Sequence, residues 1–275
     1  MEIQFLGATK TVTGSRYLLK ADQNVLVDCG LFQGLKELRL RNWKKFPIDP
    51  ASIEAVVLTH AHLDHSGYLP LLVKNGFRGK IYCTQATKEL CRILLLDSGH
   101  IQEEEARRAN KHGYSKHKPA FPLYTRADAE AVLLQFNAIP FHQDFIVGGI
   151  SFRFNRAGHI FGAATLLARY QGVSILFSGD LGRSSGPCVA PPEGIVSADY
   201  LVIESTYGDR LHEQVDPQEQ LGEIIKRTVK RGGTVIIPTF AVGRAQAILY
   251  YIYRLKQAGK IPDIPVFLDS PMAQE

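Results

Sequence analysis

The chain has 275 residues, 45% of them hydrophobic and 21% charged, proportions that exclude a disordered or fibrous protein and allow one large core, or one domain with part of a second. Thirty-two Lys and Arg against 27 Asp and Glu give a formal net charge of +5, which suits an anionic substrate without demanding one. No apolar run approaches the ~20 residues of a membrane span and no leader pattern opens the chain, so the expectation is a soluble, cytoplasmic protein.

The predicted elements begin with strands. EIQFLGA, SRYLLKA and NVLVDCG are short, β-rich and separated by Gly, Thr or Asn, as antiparallel strands are. ASIEAVVLTH leads into a buried strand, AVVLT, and SGYLPLLVKNG has helical apolar spacing that ends at Gly76. GKIYCT reads as a strand and ATKELCRILLLDSGHIQEEEARRANKHG as a long helix. Residues 110–125 are basic, aromatic and proline-bearing, the composition of a surface loop. TRADAEAVLLQF reads as a helix, and SFRFNRA, ATLLARY, VSILFSGD and DYLVIEST as strands. From about 209 the texture changes. DPQEQLGEIIKRTVKRGG (helix), TVIIPT (buried strand), RAQAILYYIYRLKQAG (helix) and IPVFLDS (strand) alternate, which predicts a separate parallel-sheet unit. The expected division is 1–208 and 209–275.

One stretch stands apart. THAHLDH places His60, His62, Asp64 and His65 within six positions, in a chain with nine histidines. Composition alone gives H-x-H-x-D-H in about one such chain in two thousand. The cluster sits at the end of a predicted strand, and four other strand ends also carry an acid or a histidine: Asp28, His159, Asp180 and Glu204. If the strands lie side by side, these five ends share one edge, where rigid scaffolds place functional groups.

Imidazole with carboxylate suits a borderline divalent ion, zinc first, with manganese or iron open. Four ligand-type side chains in six residues are too many for one ion, so the spacing points to two. His60, His62 and His159 would hold one, Asp64 and His65 would help hold the second, and Asp180 would bridge them. By itself His159 reads as a turn histidine, and Asp180 in SGDLG suits a turn equally well. Asp28 reads as an orienter of a ligand rather than a ligand. His100, His112, His117, His142 and His212 lack partner spacing and read as ordinary histidines. Cys29, Cys83, Cys91 and Cys188 form no C-x-x-C pair and read as reduced thiols.

The order VDCG, THAHLDH, AGHIFGAA and FSGDLG resembles the metallo-β-lactamase fold hydrolases. The continuation VIESTYGDR, IIPTFAVGRAQAILY and VFLDSPMA resembles the subgroup with an inserted β-CASP domain, nucleases that include the cleavage and polyadenylation factor endonuclease and the RNA-processing exonucleases. The resemblance implies an α/β fold, a four-layer αβ/βα sandwich followed by the start of a β-CASP domain, with two zinc ions at one edge. It assigns the metal to His60, His62, Asp64, His65, His159 and Asp180. It makes Asp28 the acid that supports the site and Glu204 the acid that orients a catalytic histidine. The family's later histidines come after the point where this chain stops, so the second metal would be one ligand short. The resemblance therefore implies the first portion of a longer enzyme, or a truncated relative.

The function expected is hydrolysis of phosphodiester bonds in RNA, single-stranded by preference, with Asp64 or Asp180 taking the water proton. A homodimer is compatible with this reading. Arg183, Arg210 and Arg244 follow candidate site strands and are either phosphate contacts or surface charges. Lys111, Lys116 and Lys118 beside Tyr114 and Phe121 either grip single-stranded RNA or form a plain surface loop. Two rivals stay open: a thioester or lactam hydrolase on the same fold, and a metal-poor subunit that binds RNA or a partner.

Overall fold

Alternate residues of the early strands are buried on opposite sides. Leu18, Leu26, Val56 and Ile81 belong to one apolar core, and Leu19, Val25, Val27, Ala55 and Val57 to another. A sheet with both faces covered is the arrangement that buries such continuous apolar runs. The computed structural model describes residues 1–194, 197–211 and 215–274 and shows how both faces are covered.

The first sheet orders β1 (Glu2–Phe5), β2 (Tyr17–Lys20), β3 (Asn24–Val27), β4 (Ile53–Val57), β5 (Lys80–Cys83) and β6 (Phe136–Ala138). Its first three strands pair antiparallel, as the sequence predicts, and β3 to β6 pair parallel. The second sheet runs β7 (Asp144–Val147), β8 (Ile150–Arg156), β9 (Ala164–Tyr170), β10 (Val173–Phe177) and β11 (Tyr200–Val202) in order. All its pairs are antiparallel except β10 with β11. Phe152, Phe154, Leu166, Ala168 and Phe177 of this sheet meet Val25, Val27 and Val57 of the first. Each fully buried side chain of this size contributes about 1.5–3 kcal/mol.

The helices are α1 (Lys36–Arg39), α2 (Leu63–Ser66), α3 (Leu69–Lys74), α4 (Gln85–His112), α5 (Arg126–Leu133), α6 (Pro217–Lys230), α7 (Arg244–Gln257) and α8 (Pro271–Gln274). Leu69, Leu72, Leu94, Leu95, Ala129 and Val132 from α3, α4 and α5 join the core on the outer face of the first sheet. Two packed sheets with helices outside make the sandwich that was expected. α4 begins at Thr84, whose hydroxyl accepts from Thr87 N, and ends at the left-handed Gly113 (φ +68°). Thr125 and Asp128 form a reciprocal capping box on α5. Among the described residues no helix is long and apolar enough to cross a membrane.

Two expected strands are corrected. Residues 234–239 (TVIIPT) and 264–270 (IPVFLDS) form no strand, and Ile236 and Phe267 are 85% and 87% exposed. A strand is held by the ladder of its neighbours, and no described segment pairs with either. The parallel-sheet unit predicted here is therefore not formed among the described residues. α6 and α7 nonetheless pack together through a small core of Ile225, Ile252, Leu255 and Ile261. β6 and β7 are not foreseen in the sequence, since FNA and DFIV are too short for an alternation to register. His212 lies outside the described residues.

Candidate metal centre

The five strand ends do meet. Parallel pairing sets Val27 beside Val57 and Phe177 beside Val202. The residues that follow each pair, Asp28 with Thr59 and His60, and Asp180 with Glu204, are thus neighbours. Ala164 N donates to Thr59 O at 2.9 Å, which ties the end of β4 to the start of β9 across the two sheets. The loop from β8 to β9 carries His159 into the same space. Two glycines allow the close approach. A Cβ on Gly30 would lie 1.6 Å from Asp64 O, and one on Gly182 would lie 1.7 Å from Gly158 O.

Four donor atoms converge from His60, His62, His159 and Asp180, all within 4.8 Å of one another. His62 Nδ1 is 3.2 Å from His60 Nε2 and 3.1 Å from His159 Nε2. Asp180 Oδ2 is 3.6 Å from His60 Nε2 and 3.5 Å from His159 Nε2. A tetrahedral ion with donors at about 2.0–2.1 Å requires donor–donor edges of about 3.3 Å. The four observed edges straddle that value, so the residues present fit a metal ion.

The protonation states agree. Burial, reinforced by the neighbouring histidines, drives His60 well below its ordinary value. Burial and His159 bring His62 down to about 4, and burial lowers His159. Neutral imidazoles offer lone pairs. Burial opposes ionisation of Asp180, but the hydrogen bond from His65 and, at the acid pH where the carboxyl titrates, the protonated neighbouring histidines outweigh it, and its carboxyl stays below the usual range.

The tautomers follow from counting donors. Asp28 is buried, and its carboxylate accepts from Thr59 N at 2.8 Å, Thr59 Oγ1 at 2.9 Å and His65 Nδ1 at 2.8 Å. A carboxylate accepts only, so the single Thr59 hydroxyl proton points to Asp28. The 3.1 Å contact between Thr59 Oγ1 and His60 Nδ1 then requires the proton on Nδ1. His60 Nε2 is left as a lone pair facing the donor cluster. His65 likewise holds Asp28 through Nδ1 and turns Nε2 toward Asp180.

A second group adjoins the first. His65 Nε2 is 3.1 Å from Asp180 Oδ1 and 3.9 Å from Asp64 Oδ2. Asp180 thus divides its two oxygens between the four-donor cluster and His65. Burial opposes a proton on His65, but Asp28 and Asp180 outweigh it and raise the imidazole well above its ordinary value. Burial, with Asp180 nearby, also raises Asp64.

The remaining expected residues are placed as follows. Glu204 accepts from Leu181 N at 2.7 Å, and its own N donates to Ser178 Oγ at 3.0 Å, so it braces the turn that carries Asp180. Arg210 is tied to Asp209 and lies over the Tyr207 ring, while Arg183 and Arg244 are exposed. The sequence reading missed Thr59. Its position directly before the histidine cluster, in a chain where Asp28 also ends a strand, was the available signal.

Comparisons with known proteins agree with this geometry. A family model described as the metallo-beta-lactamase superfamily matches residues 12–211. The chain is 39% identical to a protein of Thermus thermophilus named as a ribonuclease, over 99% of this chain and 59% of that one. It is 31% identical to the cleavage and polyadenylation specificity factor 73 of Drosophila melanogaster, over 100% of this chain and 39% of that protein. It is 32% identical to an RNase J-like protein of Methanocaldococcus jannaschii, over 90% of this chain and 53% of that one. The chain thus spans less than two thirds of the length of each of these relatives.

Proposed function

Because the chain belongs to the metallo-β-lactamase superfamily, we propose that it hydrolyses phosphodiester bonds in RNA with two divalent ions, zinc first, held at the edge of the sandwich. The observation that carries this reading is the four-donor cluster, with Asp180 facing both it and His65. Relatives named as a ribonuclease, a cleavage factor and an RNase J-like protein support RNA as the substrate class. We also read residues 209–275 as belonging to a β-CASP domain, and the substrate as single-stranded.

His60, His62 and His159 with Asp180 would hold one ion, and Asp64, His65 and Asp180 the other. Bound there, such ions supply Lewis acidity that lowers the pKa of water and neutralises charge on the phosphate. The chain's own groups do the rest. Asp180, kept ionised, and Asp64 are the two carboxylates placed to take the proton of an attacking water. The Asp28–Thr59 pair holds His60 in the tautomer that presents Nε2, and Asp28 orients the His65 ring so that its Nε2 faces Asp180 and Asp64. Arg183, three residues after Asp180, and Arg244, next to the glycine whose added Cβ would lie 3.1 Å from Ile160, are both exposed, and they suit backbone phosphates.

Metal per chain, measured by elemental analysis beside cleavage of a labelled single-stranded RNA with and without EDTA, tests this. The expected result is about two ions per chain, a clear loss in His62→Ala, and cleavage that EDTA abolishes. A well-folded protein with no metal above background after reconstitution overturns it.

A further inference from the structure

The longest helix ends in a loop that the metal centre does not use. α4 starts beside that centre: the Thr84 hydroxyl donates to Gly162 O at 2.8 Å, in the loop that carries His159. Its 28 residues rise about 42 Å, so its far end stands well away from the donor cluster. There Gly113 stops the helix and the chain forms a closed loop. Asn110 Oδ1 accepts from Ala120 N at 2.7 Å, and Asn110 Nδ2 donates to Ala120 O at 3.0 Å. Just beyond, the Tyr124 ring is fully buried and its hydroxyl donates to Ser98 Oγ at 2.7 Å. A loop pinned at both ends in this way holds its shape.

The loop presents one kind of chemistry. No Asp or Glu occurs between residues 106 and 127. Lys111, Lys116 and Lys118 are all exposed. Among the described residues neither these lysines nor Arg108 forms an ion pair, whereas Arg107 pairs with Glu104. Between and beside the lysines the rings of Tyr114 and Phe121 are 67% and 68% exposed. A lone exposed ring or lysine is ordinary. Two rings interleaved with three unpaired cations on a pinned loop are what a single nucleic-acid strand requires, cations for its phosphates and flat faces for its bases.

We propose that the 110–121 loop is a distal holding surface for single-stranded RNA, gripping the strand roughly one α4 length away from the metal centre. This rests on RNA being the substrate. A strand stacked at about 3.4 Å per nucleotide needs about 12 nucleotides to reach from one to the other. RNA of about 5 nucleotides therefore cannot occupy both places.

The test compares the 275-residue protein with two variants, Lys111→Glu/Lys116→Glu/Lys118→Glu and Tyr114→Ala/Phe121→Ala. Cleavage of RNAs of about 5 and about 30 nucleotides is measured beside binding of a non-cleavable strand of about 30 nucleotides. Both variants should leave KM for the short RNA unchanged and raise it about tenfold for the long one. The charge variant should also lower the slope of log Kd against log salt by about 2. Equal effects on short and long RNA, or none on either, overturn the proposal. So does binding of the long strand that is unchanged in both variants while an acidic protein or anionic vesicles lose affinity. If the unaltered protein cleaves neither RNA but its binding of the long strand still depends on the loop, the nuclease reading fails and the holding surface stands.

Discussion

The carboxylate of Asp28 and the imidazole of His65 are joined at 2.8 Å, with both side chains buried. Thirty-seven residues separate them in sequence. The link is built by backbone contacts on either side: Asp28 N donates to Val57 O, Cys29 N to His65 O and Leu31 N to Leu63 O, all within 3.0 Å. Asp28 itself is in the left-handed region at φ +55°, a strained conformation that an aspartate tolerates better than most residues. The strain is sustained because the carboxylate meets three donors at once.

Replacing that carboxylate tests its role. Asp28→Asn puts an amide N–H against the Thr59 or His65 donors and leaves at least one of them unpaired in the interior. We expect a loss of about 2–3 kcal/mol in stability and a 10–100-fold weaker metal affinity. Chemical denaturation and a competitive chelator titration measure the two. Metal affinity equal to that of the unaltered protein would remove Asp28 from the site's support.

Thr59 carries the same network to His60. Thr59→Val keeps the shape and removes the hydroxyl that fixes the Nδ1–H tautomer, whereas Thr59→Ser keeps the hydroxyl. The valine variant should lose about 1–3 kcal/mol of stability and bind metal more weakly, and the serine variant should retain most of both. If valine retains stability and metal while serine loses them, packing of the γ-methyl and not the hydroxyl is what matters at this position.

Close backbone approach makes Gly30 intolerant. A Cβ there would sit 1.6 Å from Asp64 O, so Gly30→Ala must push apart the segments that carry Asp28 and Asp64. The expected cost is at least about 3 kcal/mol, with loss of metal. Gly34→Ala is the control: nothing lies within 4 Å of its added Cβ, and only the positive φ of +79° is strained. Comparable Tm values for the two variants would contradict this account.

Acid sensitivity has a local source at α5. Burial opposes ionisation of Asp128, but hydrogen bonds from the Thr125 backbone and side chain and from Lys74 outweigh it and lower its pKa. A depressed carboxylate contributes stability that is complete above the unfolded value of about 3.9 and is lost as pH falls through the folded value. Asp128→Asn should therefore lower Tm by about 2 °C near pH 7, and the gap should close as pH falls through the depressed folded value. Tm measured across pH 2–8 decides it. A gap that persists at pH 2 would trace the effect to the helix cap's shape instead of its charge.

Much of this protein is written locally in its sequence. The apolar runs at 25–27 and 55–57 and the alternation in 150–156 mark strands, because burial on one or both faces leaves a period-two or continuous pattern. The cap and stop residues Thr84 and Gly113 mark the ends of α4. THAHLDH points to a metal site, because four ligand-type side chains in so few positions have little other use. The tertiary structure decided what depends on partners distant in the chain. It brought His159 and Asp180 to His62, split the two oxygens of Asp180 between neighbours, and gave Thr59 a role no local pattern states. It also left 234–239 and 264–270 without strands, despite their β-rich composition. A strand needs a neighbour's backbone and a ligand set needs convergent loops, and neither is a property of a segment read alone.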